Sequence, residues 1–251
     1  MSVSLDAFFA NMLPFLEGRV GVAETVQAIG PSPSGNARLA LYPKFIRRQK
    51  RSVLDGFFAS ARAACDAHAP MLWNRLTDEF INSVAPQHWE PNHYAGQLLT
   101  FLTAKQAQTA AIPPAVLELV DFAWIRFSTM NAAPPQGTDL AIGRALFVRY
   151  YANEVAKFAL AVEDGSALQG AVPEAFACTL LVCRSRHSMR LEVVRPSLGA
   201  LVALRRREAP HAPVQLPRGL CEADIDREEA ALVTLGVLAP HSAARGEGHP
   251  P

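Results

Sequence analysis

The sequence lacks most of the features by which a chain announces its chemistry. Nowhere do about 18 uninterrupted apolar residues occur, the length a helix needs to cross a bilayer, so no membrane span is predicted. The first residues carry no positive cluster. Asp6 and Asn11 bracket Phe8-Phe9-Ala10 and cut it off from Met12-Leu13, which argues against a secretory signal and sets the expectation of a cytoplasmic protein. An excess of one charge is missing too: 24 basic and 23 acidic side chains leave a net +1. A dedicated nucleic-acid binder usually carries a basic surplus, so any such binding must come from a local patch. The four cysteines, Cys65, Cys178, Cys183 and Cys221, are too few for a disulfide framework in 251 residues. Cys178 and Cys183 stand five apart. In a strand that odd spacing sends them to opposite faces, which suits buried thiols better than a metal clamp.

Motifs of catalysis are absent as well. There is no Gly-x-Gly-x-x-Gly, no phosphate-loop Gly-Lys-Ser/Thr, no Gly-x-Ser-x-Gly and no His-Glu-x-x-His. His88, Glu90 and His93 could be drawn as metal ligands, but a structural or catalytic site needs three or four convergent donors and a Pro-containing loop between helices is the simpler reading. Cys183 and His187 lie four apart with no third residue to orient them. The expectation is therefore no catalytic residue, no metal site and no cofactor in this chain.

What is present is helical periodicity. Half of the residues are hydrophobic and 19% charged, ordinary for a globular protein of one large or two small domains. Leu5, Phe8, Phe9, Met12 and Leu16 recur at three- and four-residue steps and predict a helix over 3–18, with Pro14 a mark against its last turn. A short helix over 22–28 follows, then a loop over 30–35. The spacing predicts one long helix over 43–67 opened by Pro43, and others over 70–84, 93–103 and 115–130. Residues 1–130 thus read as an all-helical domain.

The Pro134-Pro135 pair and Gly137 mark a boundary, and 131–175 reads as linker and connecting elements in which 145–151 and 156–162 fit strand or helix. Thr179–Cys183 and Met189–Val194 are strand-like, the second alternating polar and apolar residues around a turn at 184–188. A helix from Pro196 ends in Arg205-Arg206-Arg207, where cations suit the dipole. Asp224 or Asp226 caps a last helix that Gly236 stops, with Val237-Leu238 as a closing strand. Strand, strand, helix and helix over 176–238 predict a winged-helix-like module, followed by a disordered Gly/Pro-rich tail at 239–251. The expected fold class is mainly α with a small α+β part.

Two charge patterns stand out. Lys44, Arg47, Arg48 and Arg51 fall at i, i+3, i+4 and i+7, one helical stripe with no acid between them. The stripe is either a solvated face or a site for an anionic partner. Arg184, Arg186, Arg190, Glu192 and Arg195 decorate the second pair of strands, with Arg205 to Arg207 nearby. Such a surface could grip phosphates, or its edge strand could accept an acidic peptide whose carboxylates meet the arginines, or it could be plainly solvated.

The order of elements from Arg38-Leu-Ala-Leu-Tyr42 to Trp124-Ile125-Arg126 resembles a bacterial family described as DNA-binding domains of unknown function. The likeness rests on a Tyr opening a long helix with Val53-Leu54-Asp55-Gly56-Phe57-Phe58, on the Trp73, Leu76, Phe80 helix, on Phe101-Leu102 and on the block Leu117 to Arg126. Members of that family continue into a winged-helix-like region and are encoded beside multinuclear non-haem iron-dependent oxidases that modify ribosomally made peptides, as in the thiaglutamate pathway. The resemblance implies a partner subunit that binds a short Cys-containing precursor peptide and presents it to the oxidase, with the iron held by that enzyme. Peptide would be bound at Arg184, Arg186, Arg190, Glu192 and Arg195, and the oxidase or another anionic partner at Lys44, Arg47, Arg48 and Arg51. The alternative is a DNA-binding transcriptional regulator.

Overall fold

The computed structural model describes residues 4–87, 91–109, 111–133, 140, 145–210 and 213–240. Among them the chain is mainly helical with one small antiparallel sheet. The elements run α1 (Leu5–Leu16), α2 (Val22–Ile29), α3 (Asn36–Leu39), α4 (Tyr42–Phe57), α5 (Ala59–His68), α6 (Leu72–Ser83), α7 (Pro91–Thr109), α8 (Pro114–Asn131), β1 (Leu146–Asn153), α9 (Val155–Glu163), β2 (Ala175–Arg184), β3 (Leu191–Val194), α10 (Leu198–Glu208) and α11 (Glu222–Thr234). No helix among the described residues is long and apolar enough to cross a membrane. Two compact units divide the chain: residues 1–120 with 162–172, and residues 121–161 with 173–251.

The first unit is helical. Its core gathers Leu54, Phe58, Trp73, Leu76, Phe80, Leu98, Leu102 and Leu119, all nearly or wholly withdrawn from water. The helix expected over 43–67 is two helices. Phe58, at φ −113° and ψ 38°, breaks the ladder between α4 and α5 and is itself fully buried, so the kink serves to turn its ring inward beside Trp73. Trp73 donates its indole N–H to Asp55 Oδ1 at 2.6 Å, which satisfies the one polar atom that this large ring carries inside. The helix expected over 93–103 extends at both ends as α7.

α1 departs from its expected packing. Pro14 lies within it and the helix continues to Leu16. Of its apolar residues only Phe15 is buried, while Leu5, Phe8, Phe9 and Leu13 face water. Apolar side chains occur around more than one face here, so the three- and four-residue steps through Leu5, Phe8 and Phe9 do not select the inward side.

In the second unit the sheet order is β1-β2-β3, antiparallel throughout. β1 and α9 resolve the segments whose periodicity fitted either strand or helix. Leu180, Leu181, Val182 and Cys183 are all buried, so β2 is covered on both faces. Register places Leu146, Leu181 and Cys183 on the face that packs with Ala200, Val202, Ala203, Ile225 and Leu232 of α10 and α11. The other face carries Tyr151, whose ring meets Phe122 edge-on and whose hydroxyl donates to Asp121 Oδ2 at 2.8 Å. Cys178 lies opposite Tyr151 in register, so Cys178 and Cys183 do point to opposite faces, both buried.

Caps differ in detail from those expected. Ser197 caps α10 through its hydroxyl, which accepts from the Ala200 N–H at 3.0 Å. The cap of α11 is Cys221, and Asp224 reaches back to accept from the Cys221 N–H at 3.1 Å. Gly236 follows α11 at φ +73°, the left-handed geometry that ends helices. Val237 and Leu238 are buried but form no strand; both N–H groups turn back to Leu232 O. The proposed boundary at Pro134-Pro135 and Gly137 and the tail from 241 onward lie outside the described residues.

Candidate partner-binding surfaces

The stripe on α4 begins as four cations on one helix face, but its neighbour α6 answers two of them. Arg47 donates to Asp78 Oδ1 at 2.7 Å and to Asn82 Oδ1 at 2.6 Å. Arg51 pairs with the same Asp78 oxygen at 2.5 Å and donates to Asn74 Oδ1 at 2.9 Å. Partial burial opposes ionisation of Asp78, yet the hydrogen bonds from Arg51 and Arg47 outweigh it and hold the carboxyl below its ordinary value. Lys44 and Arg48 stay exposed. Beside them Leu41, Tyr42 and Phe45 also face water, so the free part of the stripe is an apolar patch edged by cations.

The arginines around the β2–β3 hairpin divide in the same way. Arg184 donates from Nε to Met189 O at 3.3 Å and from Nη1 to Ala132 O at 3.3 Å, which ties the turn to the end of α8. Arg195 pairs with Glu154, a carboxylate only 7% exposed, and lies with its guanidinium 5.3 Å from the centre of the Phe176 ring. Arg186 is half-buried, and its backbone N–H donates to Gly236 O at 2.9 Å. Glu192 is half-buried on β3 opposite Cys183. Arg190 is exposed, just before the start of β3.

Backbone geometry adds a feature that side-chain spacing does not reveal. Ser185 donates its N–H to Arg190 O at 2.8 Å, which closes the turn and sets the alternation along the hairpin. Glu192 and Val194 therefore turn their N–H and C=O toward β2, and Leu191 and Val193 turn theirs outward. β3 is an edge strand, and among the described residues no strand pairs with that outward side. A strand four residues long with two outward-facing backbone units is open to addition of an extended chain.

Candidates for other chemistry fare differently. His88 and Glu90 lie outside the described residues; among the described ones no group of three His, Cys, Asp or Glu side chains could hold a metal ion. His187 turns its Nε2 to Val233 O at 3.0 Å. Burial, with the Glu192 charge adding to it, pushes the Cys183 thiol up to about 12, opposite to what a nucleophile requires. Residues that decide both surfaces but carried no local signal are Asp78, 31 positions from Arg47, and Glu154, 41 positions from Arg195. Comparison with protein-family models and with curated proteins finds no match to this chain.

Proposed function

We propose that this chain is a non-catalytic partner subunit that holds an extended precursor peptide for a multinuclear non-haem iron-dependent oxidase. The observation that carries the reading is the outer edge of β3, where Leu191 and Val193 present backbone groups that no strand among the described residues pairs, next to the exposed Arg190. Peptide would add as a fourth strand, with an acidic residue meeting Arg190, in a unit read as winged-helix-like from its hairpin followed by α10 and α11. Arg184 and Arg195 brace that edge from within rather than touching the peptide. The patch of Leu41, Tyr42 and Phe45 beside Lys44 and Arg48 would receive the oxidase. No cofactor is assigned to this chain; iron belongs to the partner.

The test is co-purification with an oxidase of this class and a short Cys-containing precursor encoded beside it, using Val193→Pro as the probe. Proline at 193 removes an outward N–H and no bond of the β2–β3 ladder. Peptide retention is expected to fall with the oxidase still bound; retention of neither partner by the unaltered chain at micromolar concentration would overturn the reading. The DNA-binding alternative has the exposed Lys44, Arg48 and Arg190 behind it, and predicts duplex binding that falls steeply with salt. Near-neutral net charge favours the protein partner.

A further inference from the structure

Within the first unit, the end of α1, the first turns of α4 and the end of α6 enclose a cleft of about 220 Å³. Leu16, Ile46 and Ile81 give it apolar lining, and Lys44, Lys50 and Glu17 line it with charged groups. Arg47 also borders it, but its guanidinium is occupied by Asp78 and Asn82. The Glu17 carboxylate is paired with Arg19. Two lysines are left, and neither has a hydrogen bond or ion pair with any described residue.

Lys50 is the informative one. It is half-buried, with its ammonium 5.0 Å from the centre of the Tyr94 ring and no carboxylate of the described residues in pairing distance. Burial holds this ammonium below the ordinary lysine value, and the Glu17 charge, acting at longer range, restores part of the difference. An ammonium drawn out of water with only a distant counter-charge is destabilised, and an anion entering the cleft beside it would relieve that cost.

We propose that this cleft binds a carboxylate borne on a short aliphatic body, with Lys50 and Lys44 taking the charge and Leu16, Ile46 and Ile81 the hydrocarbon. Each alternative leaves part of the cleft unserved. A compact phosphate would leave the apolar wall wet and would bring more negative charge against Glu17 than a carboxylate does. A neutral hydrocarbon would leave Lys50 as uncompensated as before. The size suits one side chain or one small acid, so the ligand is either a free monocarboxylate or an acidic residue of a bound peptide. The proposal is independent of the peptide-presenting function above.

Full-length protein carrying ¹³C in its lysine ε-methylenes would be titrated with hexanoate, hexanamide, inorganic phosphate and acetyl-leucyl-glutamic acid amide. Hexanoate is expected to shift two lysine signals saturably, assigned to Lys44 and Lys50 by their Gln variants, and to raise the midpoint at which Lys50 loses its proton. Lys50→Met is expected to weaken hexanoate by about tenfold or more, and Lys44→Met serves the same purpose should the first variant melt early. Tighter binding of the dipeptide assigns the cleft to a peptide side chain, and tighter binding of hexanoate assigns it to a free acid. The proposal is overturned if neither carboxylate saturates or if hexanamide binds as well. Phosphate binding the same lysines as tightly as hexanoate would indicate an adventitious ion only, and would overturn it too.

Discussion

Arg195 donates to Glu154 from 41 positions further along the chain, and through that contact the loop leaving β3 is fixed to the junction of β1 and α9. Glu154 is nearly buried, whereas the Arg195 side chain keeps about half of its surface in water. Loss of the arginine would strand a carboxylate inside. Removing one partner of a fully buried pair costs about 3–5 kcal/mol, and the exposure of Arg195 lowers this to roughly 1–2 kcal/mol. Arg195→Ala should shift the urea midpoint down accordingly, and Glu154→Gln in the same chain should recover part of the loss. A neutral single variant would show that the pair does not brace the sheet.

Asp78 ties part of the acid stability of the first unit to one carboxylate. Its folded-state pKa is depressed, so its contribution is present above the ordinary carboxylate value and is lost as pH falls through the lower folded value. Asp78→Asn should flatten the stability curve over that acid window and cost about 0.5–1 kcal/mol at neutral pH, the scale of a half-exposed ion pair. Denaturant midpoints at neutral pH and at the acid end of the stable range would measure both. An unchanged acid limb would remove Asp78 from the account.

Gly236 is a position where no other residue fits. A β-carbon there would lie 2.7 Å from Ser185 Oγ and 2.9 Å from His187 Cδ2, in a backbone conformation at φ +73°. Gly236→Ala should lower stability by more than the ~1 kcal/mol of the left-handed geometry alone. Loss of the Arg186 N–H to Gly236 O bond should speed exchange of that amide in particular. Normal protection at Arg186 in the variant would count against a coupled turn.

Thiol chemistry should be divided three to one. Cys65, Cys178 and Cys183 are buried and Cys221 is exposed. Burial first, with Asp66 and Glu192 adding charge, pushes the Cys65 and Cys183 thiols up to about 12. An aromatic disulfide reagent at neutral pH should titrate one thiol rapidly in the native protein and the rest after unfolding. Cys221→Ser should abolish the fast phase. Two rapid thiols would contradict the packing of the core.

Much of the helical half was legible because long apolar periodicities have one economical reading, and α6 and α8 fall within two residues of their expected ends. The break at Phe58 was not, since Phe57 and Phe58 continue the apolar pattern while only one of them enters the core. The α4 stripe was correct as a local pattern and incomplete as a surface. What neutralises Arg47 and Arg51 comes from Asp78, and no spacing rule connects residues 31 apart. The same holds for Arg195 and Glu154. Basic clusters read from sequence overcount free cations wherever a distant helix or strand end supplies the acid. Open backbone at the edge of β3 is equally silent, since it depends on which residue closes the turn.

A sheet whose central strand is covered on both faces over Leu180 to Cys183 has consequences for any molecule that meets it. Leu180 to Cys183 are sealed in, so no ligand can read that stretch of the sheet through its side chains. At the outer edge of β3 the grip on an added strand would be made by peptide units that every amino acid shares. Selectivity there would depend on spacing and on extended shape more than on residue identity. A rim of that kind tolerates substitution in whatever it holds, and is disrupted by a misplaced proline.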